Sequence, residues 1–180
     1  MSTGRTVWIT GLSGAGKSTL AAAVAACLRS RGNTVVVLDG DELRTVFETA
    51  SLLDGDAHER DNRLRLALQY ARLCRLLASQ GLTVVIATIS MFREVHAWNR
   101  AHLPGYFEAY LKVPLEELRR RDPKAIYRRY DAGQLRNVAG IDLPVDEPEA
   151  PDWMAEHDPA RSVEDLAFEL VNILEMEGRR

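Results

Sequence analysis

The chain of 180 residues predicts an α/β fold, a three-layer sandwich with helices on both sides of a parallel sheet. Two observations carry that expectation. Short runs of β-branched and aromatic residues alternate with segments whose apolar residues recur at helical spacing. The runs are apolar on both faces, as strands are when helices cover a parallel sheet from both sides. A third observation, a glycine-rich turn between the first run and the first helical segment, fixes where that sheet would hold a ligand.

The expected strands are "TVWIT" at 6–10, "TVVVLD" at 34–39, "LTVVIATI" at 82–89 and "FEAYLKV" at 107–113. Leu20, Val24, Cys27 and Leu28 share one helical face, and Leu64, Leu68, Ala71, Arg75 and Ala78 another. The last helix is marked by Val163, Leu166, Ala167, Leu170, Val171 and Leu174, with Ser162 and Asp165 placed as a capping box. Only 131–153, "DAGQLRNVAGIDLPVDEPEAPDW", lacks periodicity, and long irregular segments in small domains usually bind or cover ligands. The chain reads as a single domain over 1–180.

Composition narrows the function classes. Lys and Arg number 23 against 26 Asp and Glu, a net charge of -3, so no overall basic field calls for nucleic acid. No apolar stretch approaches the ~20 residues that span a bilayer, and the first apolar run is too short for a secretory leader. A soluble, cytoplasmic protein is expected. Cys27 and Cys74 stand apart on apolar helical faces without metal-type spacing, and read as reduced buried thiols. His96, His102 and His157 read as surface or packing residues. Trp98 either packs on the sheet or lines a base slot.

Gly11, Leu12, Ser13, Gly14, Ala15, Gly16, Lys17, Ser18 and Thr19 form the phosphate loop G-x-x-x-x-G-K-S with its following threonine, between a strand and a helix. The glycines let successive N–H groups curl around phosphate oxygens, and the helix starting near Lys17 adds its positive end. Lys17 is placed to reach the β- and γ-phosphates, and the Ser18 hydroxyl to ligate Mg²⁺. ATP is expected rather than GTP, since no N-K-x-D motif occurs. The second strand ends in "LDGDELR". Asp39 and Asp41 there would hold hydrated Mg²⁺ or orient an attacking hydroxyl, with Arg44 as an anion fork. The alternative for Asp41 is the N-cap of the next helix.

"GLSGAGKST", "LDGDELR", "GLTVVIATIS", "RDPKAIY" and "GIDLPVDEPEAPD", in this order, resemble the adenylyl-sulfate kinase family. The resemblance runs over nearly the whole chain. It implies a P-loop kinase with a five-stranded parallel sheet and a mobile lid at about 121–151, using ATP and Mg²⁺. The implied reaction moves the γ-phosphate to the ribose 3′-hydroxyl of a nucleotide carrying an anionic group. Lys17 and Asp41 are the implied catalytic residues. Asp39, Arg44, Arg63, Ile89, Ser90, Lys124 and Ile126 match substrate-binding positions. In some family members the serine matching Ser90 is described as phosphorylated. The expected partners are the nucleotide acceptor and a second copy of the chain in a homodimer, with no nucleic acid and no membrane.

The chain departs from the family where the base is read. The two phenylalanines that sandwich adenine are replaced by His58 and Val138, and the nucleotide-reading asparagine by Leu66. Ala125 stands where the family has glycine, and Leu68-Gln69 where it has two arginines. These departures resemble a branch that phosphorylates cytidine diphosphoramidate, whose smaller pyrimidine suits a narrower slot. Adenylyl sulfate is the alternative acceptor. The rival classes are an ATP-binding module without catalysis, and a polyol or acid kinase lacking the "GID…DEP" block. Of the basic run 119–129, Lys124, with Arg128 second, is expected to close over phosphates, and the other arginines to face solvent.

Overall fold

The computed structural model describes residues 4–48 and 60–177. Strands β1 (Arg5–Thr10), β2 (Val35–Asp39), β3 (Thr83–Ala87), β4 (Tyr106–Lys112) and β5 (Trp153–Glu156) form one parallel sheet in the order β2-β3-β1-β4-β5. Helices α1 (Lys17–Ser30) and α7 (Val163–Glu177) cover one face, and α3 (Arg60–Ala78) and α4 (Arg93–His102) the other.

The strand period of two explains the layering. On β1, Val7 and Ile9 pack with Leu20, Val24, Leu28, Leu170 and Val171, while Trp8 between them packs with Ala71, Cys74 and Val95. On β3, Val85 joins the first cluster, and Val84 and Ile86 the second. Both faces are buried, which is why these strands read as continuous apolar runs. Cys74 lies wholly buried and its thiol is pushed up to about 12 by that burial. Cys27 is only half-buried, and both cysteines are free thiols. The capping box forms: the Asp165 N–H donates to Ser162 Oγ at 3.1 Å, and the Ser162 hydroxyl donates to Asp165 Oδ2 at 2.6 Å.

The sheet has the five strands that the family resemblance implied, but the place of the fifth escaped the sequence reading. β5 has four residues and sits at the sheet edge, with Trp153 and Ala155 turned in and Met154 and Glu156 turned out. So short an alternation, at the end of an irregular stretch, carries too little periodic signal. Three shorter helices, α2 (Gly40–Glu48), α5 (Leu115–Arg121) and α6 (Ile126–Asp131), lie near the carboxyl ends of the strands. Among the described residues no helix is long and apolar enough to cross a membrane.

Candidate active site

The loops that follow β1, β2 and β3 converge at the carboxyl edge of the sheet, the usual ligand-binding edge of an open α/β fold. A cavity of about 630 Å³ opens there. Ser13, Gly14, Gly16, Lys17, Ser18 and Thr19 form its floor. Gly11 lies below the floor with φ +151°, and a Cβ there would stand 2.7 Å from the Leu111 carbonyl oxygen. Only glycine lets the loop leave β1 so close to β4. Leu12 supplies a carbonyl that receives Lys17 Nζ at 2.8 Å, and Ala15 is buried beneath the turn. Burial lowers the Lys17 ammonium to about 8, with Asp41 and Asp39 opposing the shift and Lys124 adding to it.

The end of β2 and the start of α2 separate the two aspartates and remove the alternative of Asp41 as an N-cap. Asp39, not Asp41, caps α2: its Oδ1 receives the Asp41 N–H at 2.8 Å. Its Oδ2 receives the Ser18 hydroxyl at 2.5 Å. This pair of hard oxygens beside the phosphate loop fits a hydrated Mg²⁺. Asp41 lies within the first turn of α2, so its carboxylate is free of capping and pairs with the Lys124 ammonium. Partial burial pushes the Asp41 carboxyl up. The hydrogen bond and charge of Lys124, then the charges of Arg44 and Lys17, more than offset this and hold it below its ordinary value.

The far wall belongs to the segment after α6. Leu135, Arg136, Asn137, Val138, Leu143 and Pro144 line it, facing Leu66, Tyr70, Ile89, Ser90 and Met91. Asp142 holds the turn, receiving the N–H groups of Asn137 at 2.9 Å and Val138 at 2.5 Å. Arg63 donates to the Asn137 carbonyl at 2.8 Å, tying this wall to α3. Gly140, with φ +83°, lets the same turn press on Leu12, since a Cβ there would meet the leucine's Cδ1 at 2.8 Å. Ser90 is buried with φ 30°, and its hydroxyl lies 2.7 Å from Thr88 Oγ1.

Asp39, Asp41, Arg44, Arg63, Ile89, Ser90, Lys124, Ile126 and Val138 therefore meet in one cavity with the phosphate loop. His58 lies outside the described residues. Two expectations for the basic run need correction. Arg128 turns from the cavity to Asp122, at 3.4 Å. Arg121 and Arg129 are the arginines that line the cavity instead. Trp98 stacks on His102 with ring centroids 4.6 Å apart and packs against the α3 face, so it lines neither cavity.

A second cavity of about 630 Å³, missed in the sequence, adjoins the other side of the phosphate loop. Gly16, Thr19 and Arg121 border both cavities. Arg120, His157, Asp158, Pro159 and Arg161 line the second, joined there by Arg121, whose Nη2 lies 3.0 Å from His157 Nδ1. These residues come from two distant stretches, and no local motif marks them.

A parallel sheet, a phosphate loop and acidic groups beside it in one cavity define a P-loop kinase, an enzyme that transfers phosphate to an alcohol group. Comparison with known proteins narrows the class. The family model for adenylylsulphate kinase matches residues 3–156, and the chain belongs to that family. It is 38% identical over 144 residues to the cytidine diphosphoramidate kinase of Campylobacter jejuni, covering 80% of this chain and 81% of that protein. It is 34% identical over 168 residues to a probable adenylyl-sulfate kinase of Pyrococcus abyssi, covering 93% and 92%. The structure of the Mycobacterium tuberculosis APS kinase CysC in complex with AMPPNP and APS superposes with a TM-score of 0.86 at 33% identity, over 97% of this chain and 99% of that one.

Proposed function

We propose that this kinase transfers the γ-phosphate of ATP to the ribose 3′-hydroxyl of a nucleotide bearing an anionic group, with a cytidine diphosphoramidate-type acceptor preferred over adenylyl sulfate. The observation that carries the preference is the wall of the cavity. Val138 stands on it and Leu66 faces it from α3, where the family resemblance calls for phenylalanine and asparagine. Each lost aromatic stack is worth about 1–3 kcal/mol to a base. The identity to the Campylobacter kinase supports the same reading. The likeness to a complex holding APS supports adenylyl sulfate as the second reading.

The triphosphate would lie on residues 11–19, with its base in the second cavity beside Arg121 and Arg161. Mg²⁺ on Ser18 Oγ, joined to Asp39 or Asp41 through water, would neutralise the β- and γ-oxygens. The acceptor's 3′-oxygen forms its bond to the γ-phosphorus as the bond to the bridging oxygen breaks, and ADP leaves. Asp41 orients that hydroxyl and receives its proton late, because a loose transition state demands little base strength. Lys17 and Lys124 stand around the charge in motion. Arg44 takes the acceptor's anionic group, and Arg63 holds the wall through Asn137. The segment at 121–151 is the lid in this reading, and the assembly a homodimer.

The test is a competition between the two acceptors at saturating ATP, reading 3′-phosphorylated product by mass. A kcat/KM at least tenfold higher for cytidine diphosphoramidate is expected. An equal or higher kcat/KM for adenylyl sulfate would overturn the preference.

A further inference from the structure

Behind the acceptor side of the cavity lies a buried polar cluster with no place in the transfer chemistry. His96 of α4 points Nδ1 at Glu108 Oε1 of β4, 2.6 Å away, and Nε2 at the main-chain oxygen of Asp146, 3.0 Å away. The two side chains are only 13% and 5% exposed. A carbonyl oxygen accepts and never donates, so Nε2 carries a proton. Glu108 also receives the Tyr106 hydroxyl at 2.8 Å and Arg100 Nη2 at 3.4 Å. A carboxylate that gathers donors leaves no proton for Nδ1 to accept, so Nδ1 is protonated too, and the ring is an imidazolium.

What the imidazolium grips is the end of the acceptor wall. Asp146 directly follows Leu143, Pro144 and Val145, which line the cavity. Its N–H donates to the Met91 carbonyl at 3.0 Å, and its carboxylate receives the Arg93 N–H at 3.0 Å. Arg60 of α3 stands 3.7 Å from the same carboxylate. Arg100 is held on Asp152 at 2.7 Å, and the Glu108 N–H on the same aspartate at 2.7 Å. The wall is thus held at two places: at Asn137 by Arg63, and at Asp146 by His96 together with the main-chain bonds of Met91 and Arg93.

We infer that His96 is a positioning residue, a buried imidazolium that fixes the 143–146 strap and so sets affinity for the acceptor. The inference rests on the proposed acceptor site. Burial pushes the imidazole down, yet Glu108, and behind it the carbonyl and charge of Asp146, hold it above its ordinary value. As pH rises through that raised value one ring proton leaves; the Glu108 carboxylate, the stronger acceptor, keeps the other on Nδ1, so the bond to the Asp146 carbonyl is the one lost.

Acceptor KM, measured at saturating ATP across pH 6–9, tests this. His96→Phe keeps the ring volume and removes both hydrogen bonds. It should raise acceptor KM about tenfold, with kcat and ATP KM within about twofold. His96→Gln keeps one amide donor for Asp146 and has no titration. It should recover most of the affinity and lose the alkaline rise in acceptor KM. Unchanged acceptor KM in a folded His96→Phe protein, or an unchanged alkaline rise in His96→Gln, overturns the inference. Two readouts do not depend on any acceptor. In NMR titration of the free protein His96 should titrate above about 6.5. Exchange of the Leu143 amide, which donates to the Val138 carbonyl at 3.1 Å, should quicken about tenfold in His96→Phe. Failure of both acceptors would sink the proposed function, and these readouts would still decide for or against His96.

Discussion

Lys124 donates a hydrogen bond to Asp41 across 83 residues of sequence, joining the segment before α6 to the first turn of α2. Both residues line the cavity, so the group best placed to orient a hydroxyl also holds a cation from the segment before α6.

That pair gives the first prediction. Asp41→Asn keeps the shape and should lower turnover at least ~100-fold, with thermal stability nearly unchanged because Asp39 does the capping. Lys124→Ala should cost about 10²–10³ in kcat. A double mutant losing less than the product of the singles would show that the two act as a unit. Since Asp41 is held below its ordinary value, it stays ionised as pH falls and contributes no acid limb above about pH 4. A collapse of stability in Asp41→Asn with normal turnover would contradict its placement in the chemistry.

Lys17 supplies the second. Its ammonium, lowered to about 8 in the free protein, should be raised again by bound triphosphate. Binding then takes up a proton wherever free Lys17 is neutral. ATP affinity should be level below pH 8 and fall above it, by at most about tenfold per unit. Calorimetry in buffers of different ionisation enthalpy at pH 8.5 would detect the uptake. The alkaline limb predicted for His96 falls on acceptor KM, so the two are separable.

Ser90 carries the third. In-line attack by the acceptor needs positioning and charge, not a serine intermediate. Ser90→Ala should therefore retain substantial turnover, with acceptor KM raised and stability lowered by ~1 kcal/mol from the Thr88 hydroxyl left without its partner. Isolation of a chemically competent phosphoserine at this position would refute direct transfer.

The fourth concerns Ala125, which holds φ 54° just before α6. A Cβ in the left-handed region costs ~1–2 kcal/mol, partly offset by the greater unfolded-state freedom of glycine. Ala125→Gly should raise stability by ~0.5–1 kcal/mol, a Tm gain of about 1–4 °C, with activity retained. A lower Tm would show that the alanine methyl contributes more than its backbone costs.

The sequence by itself determined what neighbouring residues encode. Residues 11–19 declare a phosphate loop because the glycine positions and the strand-to-helix context are local. Apolar periods placed the four longer strands and the helices α1, α3 and α7, while α4 went unmarked. The polar end of strand two brought Asp41 and Arg44 to notice, and the family resemblance added Arg63, Ser90 and Lys124 one residue at a time. Tertiary structure alone decided what these residues do to one another. Whether Asp39 or Asp41 caps α2 depends on where the helix starts, a matter of two residues that propensity does not resolve. Whether Arg121 or Arg128 faces the cavity depends on the turn at Asp122, whose carboxylate draws Arg128 away. The bonds from Arg63 to Asn137 and from His96 to Asp146 cross 74 and 50 residues. No pattern within a helical turn or a strand period reports a pair that far apart. Only the path of the chain, laid out by strand order and crossover, brings such groups within hydrogen-bond reach.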